Sequence, residues 1–117
     1  NIFIYPTYVY ICIKHEFMSD ELELLDIDAL NEASEMLKAM AHPIRIAMLR
    51  ILKGGKPLNV SEIHELLNIE QSAASHHLGI MKSRGIVCAK RKGKNTYYTI
   101  SHERISNIVD CIQKCKR

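Results

Sequence analysis

The chain has 117 residues and a mass of 13.4 kDa, the usual size of one domain. Its 47% hydrophobic and 25% charged residues, with 5 Gly and 3 Pro, exclude collagen-like and largely disordered chains, and no apolar run is long enough to span a membrane. The cysteines Cys12, Cys88, Cys111 and Cys115 form no CxxC pair, which argues against a disulfide scaffold or zinc ribbon and for a reducing, cytoplasmic location.

The net charge of +3 conceals an asymmetry. Residues 1–59 hold 6 Lys/Arg against 8 Asp/Glu, whereas residues 60–117 hold 10 against 5. From Lys82 to Lys94 there are six bases and no acid. Clustered Lys and Arg raise the local potential, as a surface that meets a polyanion does, and the alternative is a solvated face.

Residues 1–17, rich in Ile, Tyr and Val, differ in character from the remainder. They lack the basic start and unbroken apolar stretch of a secretory signal. Translation from Met18 would make them upstream or artificially added sequence; the alternative is an N-terminal arm that pairs in a dimer. Residues 18–117 form the expected domain.

Ala29, Ala33, Met36, Leu37 and Met40 recur with helical period, and Asp26 or Asp28 suits the N-cap. Pro43 ends that helix and opens another, through Ile44, Ala47, Met48, Ile51 and Leu52, which Gly54-Gly55 closes. A short helix with Ile63, Leu66 and Leu67 follows, capped by Asn59 or Ser61, and Asn68-Ile69-Glu70 makes a turn. The next helix, about Gln71 to Ser83, sets Ala74, Leu78 and Met81 on one stripe and Gln71, Ser72, Ser75, His76, Gly79 and Lys82 opposite. Two strands, 86–89 and 96–100, flank Lys90-Arg91-Lys92-Gly93-Lys94-Asn95 as a hairpin. Ser101 is the expected cap of a last helix carrying Ile105, Ile108, Val109 and Ile112.

Two short helices joined by a tight turn, the second opening with small polar residues, fit a helix-turn-helix, and a basic hairpin behind it makes a winged version. The expected fold is therefore α+β, mainly helical. A helix seated in the major groove can use Gln against adenine and Ser or His against base edges or phosphates. Lys90, Arg91, Lys92 and Lys94 would meet phosphates, adding affinity and salt dependence but little sequence information.

The runs LKAMAHPIRIAMLRIL and LNVSEIHELLNIEQSAASHHLGIMKSRGIV, with the hairpin ending NTYYTIS, resemble the ArsR/SmtB family of bacterial winged-helix repressors over residues 28–115. The resemblance implies a homodimer joined through its first and last helices. It further implies a palindromic DNA operator, released on binding an inducer, and places Gln71, Ser72, Ser75 and His76 at the DNA-reading positions.

The family's sensor does not carry over. Metal-responsive members hold a cysteine pair in an E-L-C-V-C-D-L motif, where this chain has Pro57-Leu58-Asn59-Val60-Ser61-Glu62-Ile63. A second family metal site on the last helix matches His102, Arg104 and Cys115, and an always-protonated arginine is no ordinary ligand. Sulfur-sensing members pair a cysteine on the second helix with one on the last, and the second helix here has none. His102, Cys111 and Cys115 stay as weak metal candidates. Cys111 and Cys115, at i and i+4, could share a thiophilic metal or act as a thiol-based effector site, but small interface hydrophobes are the preferred reading. His42 and His64 are read as exposed or capping, and His77 as packed inside or against a partner. The rival function is a winged-helix protein–protein interaction module with no sensing role. An enzyme is not expected, because no nucleophile, base and oxyanion donors are placed together and no glycine-rich phosphate loop is present.

Overall fold

A computed structural model of the protein describes residues 26–115. The readings of residues 1–17 lie outside them. The described elements are α1 (Ile27–Met40), α2 (Pro43–Leu52), β1 (Leu58–Asn59), α3 (Val60–Leu67), α4 (Gln71–Ser83), β2 (Val87–Lys92), β3 (Asn95–Ile100) and α5 (Glu103–Lys114). The chain divides into two compact units inside α1, the first ending at Ala33 and the second running from Ser34. In the first unit Asp26 Oδ1 accepts the Asp28 amide at 3.0 Å, so Asp26 is the cap.

In the second unit the core is built from Ala39 and Met40 of α1, Met48, Leu49 and Leu52 of α2, Leu58, Ile63, Ala74, Leu78 and Met81, then Ile86, Val87, Ile105 and Val109. Helical period selects the helical members, Leu58, Ile86 and Val87 come from β1 and the start of the wing, and one cluster holds them all. Leu49 is a core residue that the periodic reading did not include, whereas Leu66, placed on its α3 stripe, is 63% exposed. Membrane crossing would need a helix of another kind: none among the described residues is long and apolar enough.

Short-range polar chemistry sets the element boundaries. At α2 the cap is His42, whose Nδ1 accepts the Ile44 amide at 3.1 Å while Pro43 fills the first turn. Asn59 caps α3 through a reciprocal pair: its side chain accepts from the Glu62 amide and Glu62 accepts from the Asn59 amide. Asn68, with φ of 54°, ends α3 in the left-handed conformation that Asn tolerates. At α5 the expectation of a Ser101 cap is corrected. His102 takes the N-cap position, and the Ser101 hydroxyl donates to Gly85 and Ile86 carbonyls, tying the β3 exit back to the α4 exit.

The sheet has order β1-β3-β2 and is antiparallel, so the two expected wing strands gain a short third partner, with Leu58 opposite Tyr98 and Asn59 opposite Tyr97. The hairpin is also tighter than a six-residue connection. Lys90 pairs with Tyr97, Arg91 with Thr96 and Lys92 with Asn95, leaving Gly93-Lys94 as the turn. Gly93 has φ of 64°, at the first central position that a type II′ turn gives to glycine.

Candidate nucleic-acid interface

The polar surface lies on α4, which follows α3 and the turn at Asn68. The buried side of α4 is Ala74, Leu78 and Met81, each fully enclosed, which fixes the roll of the helix. On the opposite side Gln71, Ser72, Ser75, His76, Gly79 and Lys82 are all exposed. Gln71 is the first residue of α4, where a helix end presents unpaired amides as well as side chains. Nothing lies within 4 Å of a Cβ built on Gly79, so glycine there is not required by packing within the chain and leaves the outward face low.

The wing follows directly. All four of Lys90, Arg91, Lys92 and Lys94 are exposed. Strand pleating separates them, since Lys90 and Lys92 share a face with Cys88 while Arg91 shares the opposite one with Ala89. Of the bases from α4 through the wing, Arg84, at the C-cap of α4, alone has an ion-pair partner among the described residues, Glu35 at 3.4 Å. The basic run thus contains uncompensated charge at its far end and a paired arginine near α4.

A polar cluster missed in the sequence anchors α4 to α2. Arg45 Nε donates to His77 Nδ1 at 3.1 Å, and Arg45 Nη1 donates to the Ala39 carbonyl at 3.0 Å. His42 and His77 rings approach to 4.6 Å between centroids, and His76 and His77 to 5.7 Å. Burial, then the charges of His42, Arg45 and His76, hold the His77 imidazole below its ordinary value of 6.5. His77 is half-buried, as its offset from the outward stripe of α4 requires, and Arg45 had no sequence signal beyond its charge. His64 contacts the Ile69 carbonyl at 3.2 Å, bracing the helix-turn-helix turn.

Among the described residues the family's metal-donor positions are not matched. Asn59 and Ser61 stand where thiolates are needed, and Asn59 is committed to its cap. On α5, His102 lies at one end and Cys111 nine residues on, about 13 Å along a helix axis. Among the described residues no three His, Cys, Asp or Glu side chains gather as a metal site, so His102, Cys111 and Cys115 are not brought together. Cys111 and Cys115 are free and exposed.

Comparison with known proteins agrees with this geometry. A Helix-turn-helix domain family matches residues 40–87. The transcriptional repressor PagR of Bacillus anthracis is 33% identical over 93 residues, 80% of this chain and 90% of that protein. Its crystal structure superposes with a TM-score of 0.69 at 32% identity, covering 74% of this chain and 99% of that one. The repressor SmtB of Mycobacterium tuberculosis is 33% identical over 82 residues, 70% of this chain and 60% of that protein. A homodimeric winged helix-turn-helix DNA-binding domain of Mycobacterium bovis, described as a possible ArsR-family transcriptional regulator, superposes with a TM-score of 0.68 at 28% identity over 74% of this chain and 80% of that one.

Proposed function

The chain belongs to the ArsR/SmtB family of winged-helix transcriptional regulators, and on that premise we propose that it is a homodimeric repressor whose α4 reads operator DNA. The observation that carries this reading is the exposed face of Gln71, Ser72, Ser75 and His76, set on a fully packed back and followed by a basic wing. Short polar side chains let a helix approach base edges closely, and Gln71 suits the adenine edge. Lys90, Arg91, Lys92 and Lys94 bind phosphates on either side of the wing. Two copies related by a two-fold axis place their α4 helices about 34 Å apart, so the operator is palindromic with half-sites about ten base pairs apart.

Support for the dimer comes from the first and last helices, where Leu37 is 54% exposed on α1 and Ile108 and Ile112 are 36% and 44% exposed on α5. A contiguous patch of apolar side chains on a folded surface, unlike a singly exposed one, marks a contact for another protein surface. Release of DNA by an inducer belongs to the same proposal, with no family thiolate site to supply it.

Fluorescence anisotropy with the duplex upstream of the protein's own gene, against random DNA of equal length and at several salt concentrations, tests the reading. Gln71→Ala is expected to lose ~1–3 kcal/mol of discrimination at one base, about 5- to 150-fold, with little change on random DNA. Lys92→Gln weakens both duplexes alike and reduces the salt slope by about 0.9. Equal loss on both duplexes for Gln71→Ala would overturn the division of roles.

A further inference from the structure

The outer face of the wing forms a cavity open to solvent on one side, and two of the lysines proposed to meet phosphates, Lys90 and Lys92, are part of its lining. Pleating brings Cys88, Lys90 and Lys92 to one side of β2, and the antiparallel register sets Thr99 opposite Cys88 and Tyr97 opposite Lys90. Pro57 closes the far side, just before β1 pairs with the other edge of β3. These six residues line a volume of about 440 Å³, within the range of small-molecule sites. Three adjacent strands span about 10 Å at their usual spacing, wide enough for one aromatic ring lying across β3.

The lining defines the ligand. Tyr97 and Pro57 give flat apolar walls, Thr99 and Tyr97 carry hydroxyls, and Lys90 and Lys92 bring two positive charges with no carboxylate partner among the described residues. A duplex phosphate needs an open basic surface, and it gains nothing from apolar walls or from depth. A small organic molecule with a planar apolar body and a carboxylate or phosphate group uses every part of the lining.

We propose that this cavity is a binding site for a small aromatic anion, and that its occupant competes with DNA for Lys90 and Lys92. The competition rests on the DNA reading above; the cavity itself does not. An anion held by the two lysines neutralises charges that the wing otherwise gives to phosphates, so ligand and operator weaken each other's binding by the same factor. This couples an effector to release without any metal site.

Cys88 is a reporter already in place, since its free thiol lies exposed in the cavity wall. In a Cys12→Ser, Cys111→Ser, Cys115→Ser chain it reacts alone. Its thiolate attacks one sulfur of an aromatic disulfide reagent, a mixed disulfide forms, the reagent S–S bond breaks, and the second aromatic thiolate leaves with the electron pair. The experiment compares the rates with anionic 5,5′-dithiobis(2-nitrobenzoate) and uncharged 4,4′-dithiodipyridine. Because both reagents use the same thiolate, their rate ratio reports recognition rather than thiol acidity.

The folded protein is expected to favour the anionic reagent by at least about tenfold relative to the same chain unfolded in urea, as a cleft of one charge sign does. The preference falls to the unfolded value in Lys90→Gln, Lys92→Gln. No preference in the folded protein, or one that survives the double substitution, overturns the site. A second arm adds operator DNA, with binding followed by anisotropy. Saturating DNA slows Cys88 modification if the competition holds, and an unchanged rate with DNA bound overturns it. DNA that does not bind at all speaks against the proposed function and leaves the first arm decisive for the cavity.

Discussion

Replacing Asn59 by alanine removes the acceptor for the Glu62 amide, a bond of 2.9 Å, and leaves the Glu62 carboxylate accepting from the Asn59 amide at 3.1 Å. The helix it caps has 8 residues, so its first-turn donors are a large share of its backbone groups. Loss of such a cap costs about 1 kcal/mol, within a range of about 0.5–2. For a domain of this size that lowers the melting temperature by about 4–8 °C. Ser61, the other residue whose type suits a cap, lies inside the helix and is exposed, so Ser61→Ala stays within about 0.5 kcal/mol. Glu62→Ala removes the reciprocal bond. The double variant is expected to lose less than the sum of the two single losses, because each bond helps to hold the other partner in place. Thermal and urea unfolding followed by circular dichroism measure the four variants against the parent protein. A Ser61→Ala loss equal to that of Asn59→Ala, or no loss for Asn59→Ala, refutes the assignment.

Leu78→Ala should cost about 2–5 kcal/mol because the side chain is fully enclosed, whereas Leu66→Ala should stay within about 0.5, and urea midpoints compare them directly. His77 is held below 6.5 in the folded state, so the unfolded chain binds more protons as pH falls beneath that value. Its stabilising share is present above 6.5 and lost as pH drops through the folded value; His77→Gln should flatten the stability profile below 6.5, and an unchanged slope counts against the cluster. Asp110 lies below 3.8 because it accepts a hydrogen bond from Lys53, so that link between α5 and α2 is present above 3.8 and fades in acid, as a pH titration of Lys53→Met against the parent protein should show.

What could be read in advance was whatever depends on period or on one residue's backbone preference. The α4 stripe of Ala74, Leu78 and Met81 is visible because three- and four-residue spacing survives in any context, and the same arithmetic exposes Gln71, Ser72, Ser75 and His76. Asn59 was distinguishable from Ser61 too, since only Asn59 has a Glu three residues later. The extra strand was not. Leu58-Asn59 has no period of its own, and its pairing with β3 depends on a partner almost forty residues away. The same holds for Arg45, which acquires a role only where tertiary packing brings His77 beside it. The extent of the wing was hidden because lysines read as loop residues by composition, while cross-strand pairing on an exposed edge accepts them.

That extended wing changes how its charges divide. Four bases in a loop would form one cloud, but in paired strands Lys90 and Lys92 belong to the cavity face, Arg91 to the other face and Lys94 to the tip. A ligand in the cavity therefore reaches two of the four charges and leaves the others to DNA, so the expected response is graded weakening rather than abolition. On α5 the same geometric reasoning favours the packing role for the cysteines. Ile108, Cys111, Ile112 and Cys115 follow the i, i+3, i+4, i+7 spacing of one helix face, beside the buried edge of Ile105 and Val109. If the proposed dimer forms through α5, a second copy would cover this thiol pair, which is exposed in the single chain, and the wing would be the more accessible place for a small effector.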